Sequence, residues 1–268
     1  MKIKQVLEAL ERFAPLPLQE SWDNAGLQIG LTEAEVSGVL LCLDVTEAIV
    51  DEAVAKGCNL VVSHHPLLFR GLKQVSDATD VQRTVRKAIL NNVAVVSMHT
   101  NLDNARDGVN FKIAERLGLQ RVHFGLEPWP VSAEEPLSQL PSGQWVMGEL
   151  REPMDASAFI AYMKDRMEAK CAMCNELLRR PISKIAICGG AGDFLLDEVI
   201  ANGADAFITG EMHYHQYFGH EQQLQICVIG HYESEHFTAE LLRDVISKDC
   251  PDVRCEIAET NTNPIHYY

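Results

Sequence analysis

Three strand-like apolar runs in this chain end on histidine. NLVVS (59–63) runs into His64 and His65, VAVVSM (93–98) into His99, and ICVIG (226–230) into His231. An acid stands four residues beyond two of them, Asp103 after His99 and Glu235 after His231. In open α/β sheets, ligand sites gather beyond the carboxyl ends of the strands. Imidazole and carboxylate together suit Zn²⁺, Mn²⁺ or Fe²⁺, and the lack of Cys beside them argues against a closed structural zinc site. Four or five such donors exceed what one catalytic ion needs. The pattern points to a pair of ions, about 3.5–4 Å apart, sharing a carboxylate and activating water. Taken singly, a His-His pair is usually solvated or locally hydrogen-bonded, and His-x-x-x-acid is usually a helix-start or salt-bridge pair. Recurrence at equivalent strand ends is what favours metal.

Other stretches carry weaker signals. TGEMHYHQ (209–216) brings Glu211, His213 and His215 to a further strand end, as general acid–base groups or as plain surface polarity. CAMC (171–174) has redox or zinc spacing, but no second Cys or His pair lies in range, so the spacing reads as incidental. CGGAGDF (188–194) is Gly-rich after a strand yet lacks the dinucleotide-binding spacing; a tight turn is the plainer role. SWDNAGLQIG (21–30) reads as a turn-prone loop that caps the core or touches substrate.

The elements that must position these residues show a repeat. Segments 37–65 and 183–211 align without a gap over 29 residues at an offset of 146, with six identities at 37/183, 42/188, 51/197, 52/198, 55/201 and 57/203. Each copy reads as strand, turn, amphipathic helix ending at Gly, and strand, with Gly57 and Gly203 where a helix end wants a left-handed residue. At a second offset, 91–103 and 223–235 are both strands running into His and an acid. An internal βαβ duplication accounts for both matches. The expected fold is α/β, two related subdomains with mostly parallel, covered sheets. A boundary near residue 122 gives a first subdomain over 1–122 and a second over 123–251. A last strand within 252–268 is a candidate to join the first. Residues 123–144, rich in Pro, Ser and Gly, read as the connection.

Composition narrows the partners. The chain has 268 residues, and 23 Lys+Arg against 38 Asp+Glu give a net charge of −15. Such a surface repels phosphate backbones and anionic membranes, so small molecules or proteins are the expected partners. No apolar run approaches the roughly 18 residues of a membrane span. The amphipathic start MKIKQVLEALERFAPL lacks the apolar core of a signal peptide. Eight scattered cysteines suit reduced thiols, so a cytoplasmic location is expected.

Taken in order, WDNAGLQIG, SHHPLLF, HTNLD, CGGAGDF, ITGEMHYH and GHYESE resemble the NGG-one-interacting-factor-three-like proteins, widely labelled GTP cyclohydrolase type 2 homologues. The span 123–181 is too short for the inserted domain of long members, so the chain resembles the compact form. The resemblance implies a two-domain protomer with a dinuclear metal site between the halves, and a homohexamer built as a trimer of dimers. It implies His64, His65, Asp103, His231 and Glu235 as ligands, with Asp103 bridging. The expected activity is metal-dependent hydrolysis of a small phosphorylated or nucleotide-like substrate, with Glu211 or His99 assisting proton transfer. The competing class is a metal-storage or metal-delivery protein, or a hexameric scaffold. The first half already offers two imidazoles, and Gly210 and Glu211 stand at their equivalents in the second. His231 is therefore expected on the metals and His99 behind them.

Overall fold

The computed structural model describes residues 1–126 and 142–268. Most of the expected connection 123–144 lies outside the described residues. The chain opens with helix α1 (Ile3–Phe13) and strands β1 (Gly26–Ile29) and β2 (Val39–Cys42). Helix α2 (Glu47–Ala55), β3 (Leu60–Ser63), α3 (Asp80–Leu90), β4 (Ala94–Ser97) and the single turn α4 (Thr100–Asp103) follow. Then come α5 (Val109–Arg116), β5 (Gln120–Phe124), β6 (Val146–Met154), α6 (Ala156–Arg166) and β7 (Met173–Cys174). Strand β8 (Ile182–Ala191), α7 (Leu196–Ala201), β9 (Ala206–Glu211), β10 (Gln225–Val228) and α8 (His231–Glu235) lead to α9 (Thr238–Asp249) and β11 (Cys255–Ile257).

Two compact units divide this chain. The first holds Met1–Ala105 and His236–Pro264, the second Arg106–Glu235 and Ile265–Tyr268. The division falls at 105/106 and 235/236 and not near 122, for a local reason. Helix α5 buries Ile113 and Ala114, and its Asn110 bonds to Gly189 N and Gln144 O, all within the second unit. The helical stretch after His231 is broken in two: α8 ends where the chain leaves the second unit, and α9 begins in the first.

In the first unit the sheet runs β1-β4-β3-β2-β11, all parallel except β1, which is antiparallel to β4. Every residue of β2, β3 and β4 is buried, as strands covered on both faces must be. Thr46 and Thr79 cap α2 and α3 by accepting from Ile49 N and Gln82 N. In α1, Ile3, Val6 and Leu10 lie on one face and are buried.

In the second unit the order is β5-β6-β8-β9-β10-β7. Strands β8, β9 and β10 are parallel; β6 and β7 flank them antiparallel. Gly57 and Gly203, just past α2 and α7, have φ of +65° and +74°. Each passes its own N–H and that of the next residue back to the last helical carbonyls, an ending that favours glycine. All eight cysteines are free, five of them buried. Among the described residues no helix is long and apolar enough to cross a membrane.

Candidate functional site

The main chain of His64 and His65 continues the parallel ladder beyond β3, donating to Cys42 O and Leu43 O. Ser97 Oγ donates to His64 O at 2.7 Å, and Ser63 Oγ to His65 O at 2.8 Å. These bonds satisfy the carbonyls of a strand end and hold both histidines in place. Strand β4 delivers His99 at its own end, and α4 carries Asp103 one turn further on.

The imidazoles are oriented from behind. His64, fully buried, donates from Nδ1 to Met98 O at 2.7 Å. His65 Nδ1 donates to Asp44 Oδ1 and His99 Nδ1 to Asp23 Oδ1, each at 2.7 Å. Carbonyl and carboxylate oxygens accept only, so each ring carries a proton on Nδ1, and Nε2 is the ring nitrogen that points away from these acceptors. Ring nitrogens of the three lie within 4.8 Å of one another, and His64 Nε2 is 3.6 Å from Asp103 Oδ1. Donors about 2.0–2.2 Å from a shared tetrahedral ion stand about 3.4 Å apart. The group could hold a metal ion.

The supporting acids stay ionised. Burial pushes the Asp23 carboxyl up, but hydrogen bonds from His99, Thr100 and the Asn24 N–H outweigh it and hold it at about 2. Burial likewise opposes Asp44, and bonds from His65 and Thr262, with His64 close by, bring it below the usual carboxylate range. Each acid fixes one ring's tautomer. Residue spacing gave no sign of either: Asp44 lies inside the repeat and Asp23 in the turn-prone loop, far from their partners in sequence.

In the second unit, α8 carries His231 and Glu235 on one face, with His231 Nε2 3.1 Å from Glu235 Oε2. His231 Nδ1 donates to Glu211 Oε1 at 2.8 Å. Glu211, expected as a proton carrier, is thus seated on the outer nitrogen of a donor imidazole. The Gly-rich turn has a steric role: Gly190 has φ +64°, and a Cβ on it would stand 2.6 Å from Glu235 Oε1. A cavity of about 630 Å³ opens beside His231. Val228, Ile229, Ile265 and Tyr267 give it apolar walls, and Asp193 and Glu211 line it too. His213 lines it and donates from Nδ1 to Asp193, which raises its pKa. His215 does not line it; its ring meets Tyr214 and Phe218. Cys171 borders the cavity, whereas Cys174 faces Cys227 across β7 and β10.

A family profile described as Duf34/NIF3 (NGG1p interacting factor 3) matches residues 1–264. The chain belongs to the Duf34/NIF3 family. Similar proteins include the "GTP cyclohydrolase 1 type 2 homolog" of Streptomyces coelicolor, 32% identical, covering 98% of this chain and 93% of the relative. The protein of the same name from Clostridium perfringens is 32% identical over 88% of this chain and 87% of its own. Among solved structures, Staphylococcus aureus protein SA1388 superposes with a TM-score of 0.87 at 28% identity, covering 100% and 99% of the two chains. A Bacillus cereus protein related to NIF3 does so at 0.88 and 22% identity, with the same coverage, which speaks for the NIF3 fold alone.

Proposed function

We propose that this NIF3-family chain is a dinuclear metal-dependent hydrolase of a small phosphorylated or nucleotide-like substrate. His64, His65 and Asp103 of the first unit and His231 and Glu235 of the second hold the ions. One observation carries the reading: every one of these imidazoles has its Nδ1 on an acceptor, which turns Nε2 towards the other donors of its unit. Each histidine is backed by a second partner in the way metal-binding histidines are.

Two divalent ions, of Zn, Mn or Fe, would supply Lewis acidity and lower the pKa of a water. The protein's residues do the rest. Asp44 and Glu211 orient the imidazoles of His65 and His231. His99, anchored on Asp23, holds its Nε2 beside those of His64 and His65, where it passes a proton to or from the reacting atoms. The cavity beside His231 is of the size that takes a small molecule. The proposed working form is the homohexamer that the sequence resemblance implies.

Elemental analysis after gentle purification and metal reloading should approach two ions per chain. Light scattering should give about 180 kDa, six times 29.9 kDa. A metabolite-depletion screen with the loaded protein should find a substrate whose turnover stops in Glu235→Gln while the hexamer survives. A ceiling of one ion per chain would end the two-ion reading. Assembly that collapses with metal loss would favour a scaffold held by its ions.

A further inference from the structure

Two large aromatic side chains flank the three-histidine group and are left in water. Trp22 is 59% exposed and Phe69 is 45% exposed. Trp22 stands in the loop before β1, next to the Asp23 that anchors His99, and Phe69 stands four residues after His65. Their ring centroids are 5.9 Å apart with the planes at 62°. Each ring also lies 6.2 Å from the His99 ring, at 75° for Trp22 and 82° for Phe69. Three steeply inclined rings in mutual contact form a corner that borders the donor cluster through His99.

The corner is held before any ligand arrives. Asn24 Nδ2 donates to Leu68 O at 2.7 Å, and Leu68 N donates to Gln28 Oε1 at 3.1 Å. Gln28 Nε2 closes the triangle on Asn24 O at 2.6 Å. The loop of Trp22 and the segment of Phe69 are therefore tied to each other by bonds one or two residues from the rings, and Asp23 ties the first to His99. Such pre-organisation lowers the entropy lost when a ligand is gripped. A flat ring entering the corner stacks on one face and meets the others edge-on, the two arrangements aromatic quadrupoles favour. Tyr214 and Phe218, a second exposed aromatic pair, belong to none of the candidate metal-holding groups among the described residues.

We propose that Trp22 and Phe69 form a stacking subsite for a flat fused heteroaromatic ring of the purine class, held beside His99. The proposal rests on the histidine group being the reacting centre, but the binding it predicts is measured separately from metal. Adenosine and guanosine are titrated calorimetrically into the full-length protein, once metal-loaded and once chelator-stripped, with ribose as control. Both nucleosides should bind more tightly than ribose. Trp22→Ala should weaken them by roughly 5–150-fold, the span of losing one base–aromatic stack. Trp22→Tyr should stay near wild type, and Trp22→Leu should fall with the alanine variant because it offers apolar area without a ring face. Metal content of all variants should equal that of wild type. Nucleosides binding no better than ribose, or equal binding by the leucine and tyrosine variants, overturns the subsite. So does unchanged nucleoside binding with a changed mass for Trp22→Ala in light scattering, which would make the corner a contact between copies. Failure of the two-ion reading shows in elemental analysis instead and leaves the titration of stripped protein standing.

Discussion

The ends of β3 and β9 occupy matching places in the two halves of the sequence, and they solve different problems. After β3 the chain reads Ser63-His64-His65; after the matching part of β9 it reads Thr209-Gly210-Glu211. His65 belongs to a group that could hold a metal ion, and Asp44 is bonded to its Nδ1. At the place equivalent to Asp44 stands Gly190, which leaves room for the Glu235 carboxylate. Position 210 has no such freedom: a Cβ there would stand 2.6 Å from Gly190 O and 2.8 Å from Ser234 Oγ. The second unit therefore carries its candidate donors, His231 and Glu235, on α8, and Glu211 orients His231. A βαβ frame fixes where a strand ends, while the crowding beyond the strand decides whether a side chain can stand there.

The strongest break of this comparison removes donors from each unit. Asp103→Ala should lose both ions and His231→Ala at least one, whereas His99→Ala should still load two at saturating metal. Elemental analysis of the three variants under one loading protocol decides it. A His99→Ala protein as metal-free as Asp103→Ala would move His99 among the ligands and make the first unit a three-imidazole donor.

Orienting acids come next. Asp44→Asn, Asp23→Asn and Glu211→Gln each keep shape while removing the charge that fixes a ring. Losing such a partner typically costs about 10–100-fold in metal affinity or activity. Asp44→Asn and Glu211→Gln should show it in competitive chelator titration. Asp23→Asn, acting through His99, should show it in turnover at unchanged metal content.

Gly210→Ala tests the crowding itself. The nearest neighbour is a backbone carbonyl that cannot swing away, so the variant should lose about 1–3 kcal/mol in urea unfolding. Wild-type stability for this variant would mean that the glycine answers to ancestry and not to space.

The smallest effect concerns identical twins with different partners. Glu52 accepts from the N–H groups of Glu259 and Thr260 at the end of the chain, while Glu198 accepts from Trp145 Nε1. Burial raises the Glu52 pKa, but Thr260, the Glu259 N–H and Lys56 outweigh it and bring it to about 2, from 4.5. A lowered folded-state pKa means that this stability is present above about pH 4.5 and lost as the pH falls towards 2. Glu52→Gln should cost about 1 kcal/mol at pH 7 by thermal or urea unfolding. The gap to wild type should close between about pH 5 and pH 2.

Much of the site is legible in the sequence because its marks are local. An apolar run that stops at His64, His65, His99 or His231 marks both the strand and a candidate donor, and a four-residue step to Asp103 or Glu235 puts imidazole and acid on adjoining turns. The βαβ order, the parallel covered strands and the glycine helix ends follow from composition and period over a few residues each. The unit boundaries are not legible in the same way. The helical period over 104–118 says that a helix forms, but not which sheet buries Ile113 and Ala114.

The sequence by itself therefore determined which residues could bind metal and which frame would carry them, since residue type and short-range spacing suffice for both. Tertiary structure alone decided that Asp23 and Asp44 set the tautomers of His99 and His65, across 76 and 21 residues of chain. It alone decided that Gly190 makes way for Glu235, and that Trp22 meets Phe69 at His99. These are contacts between residues distant in sequence. They exist only once packing has fixed backbone positions to within a few tenths of an ångström, and no period or motif records that.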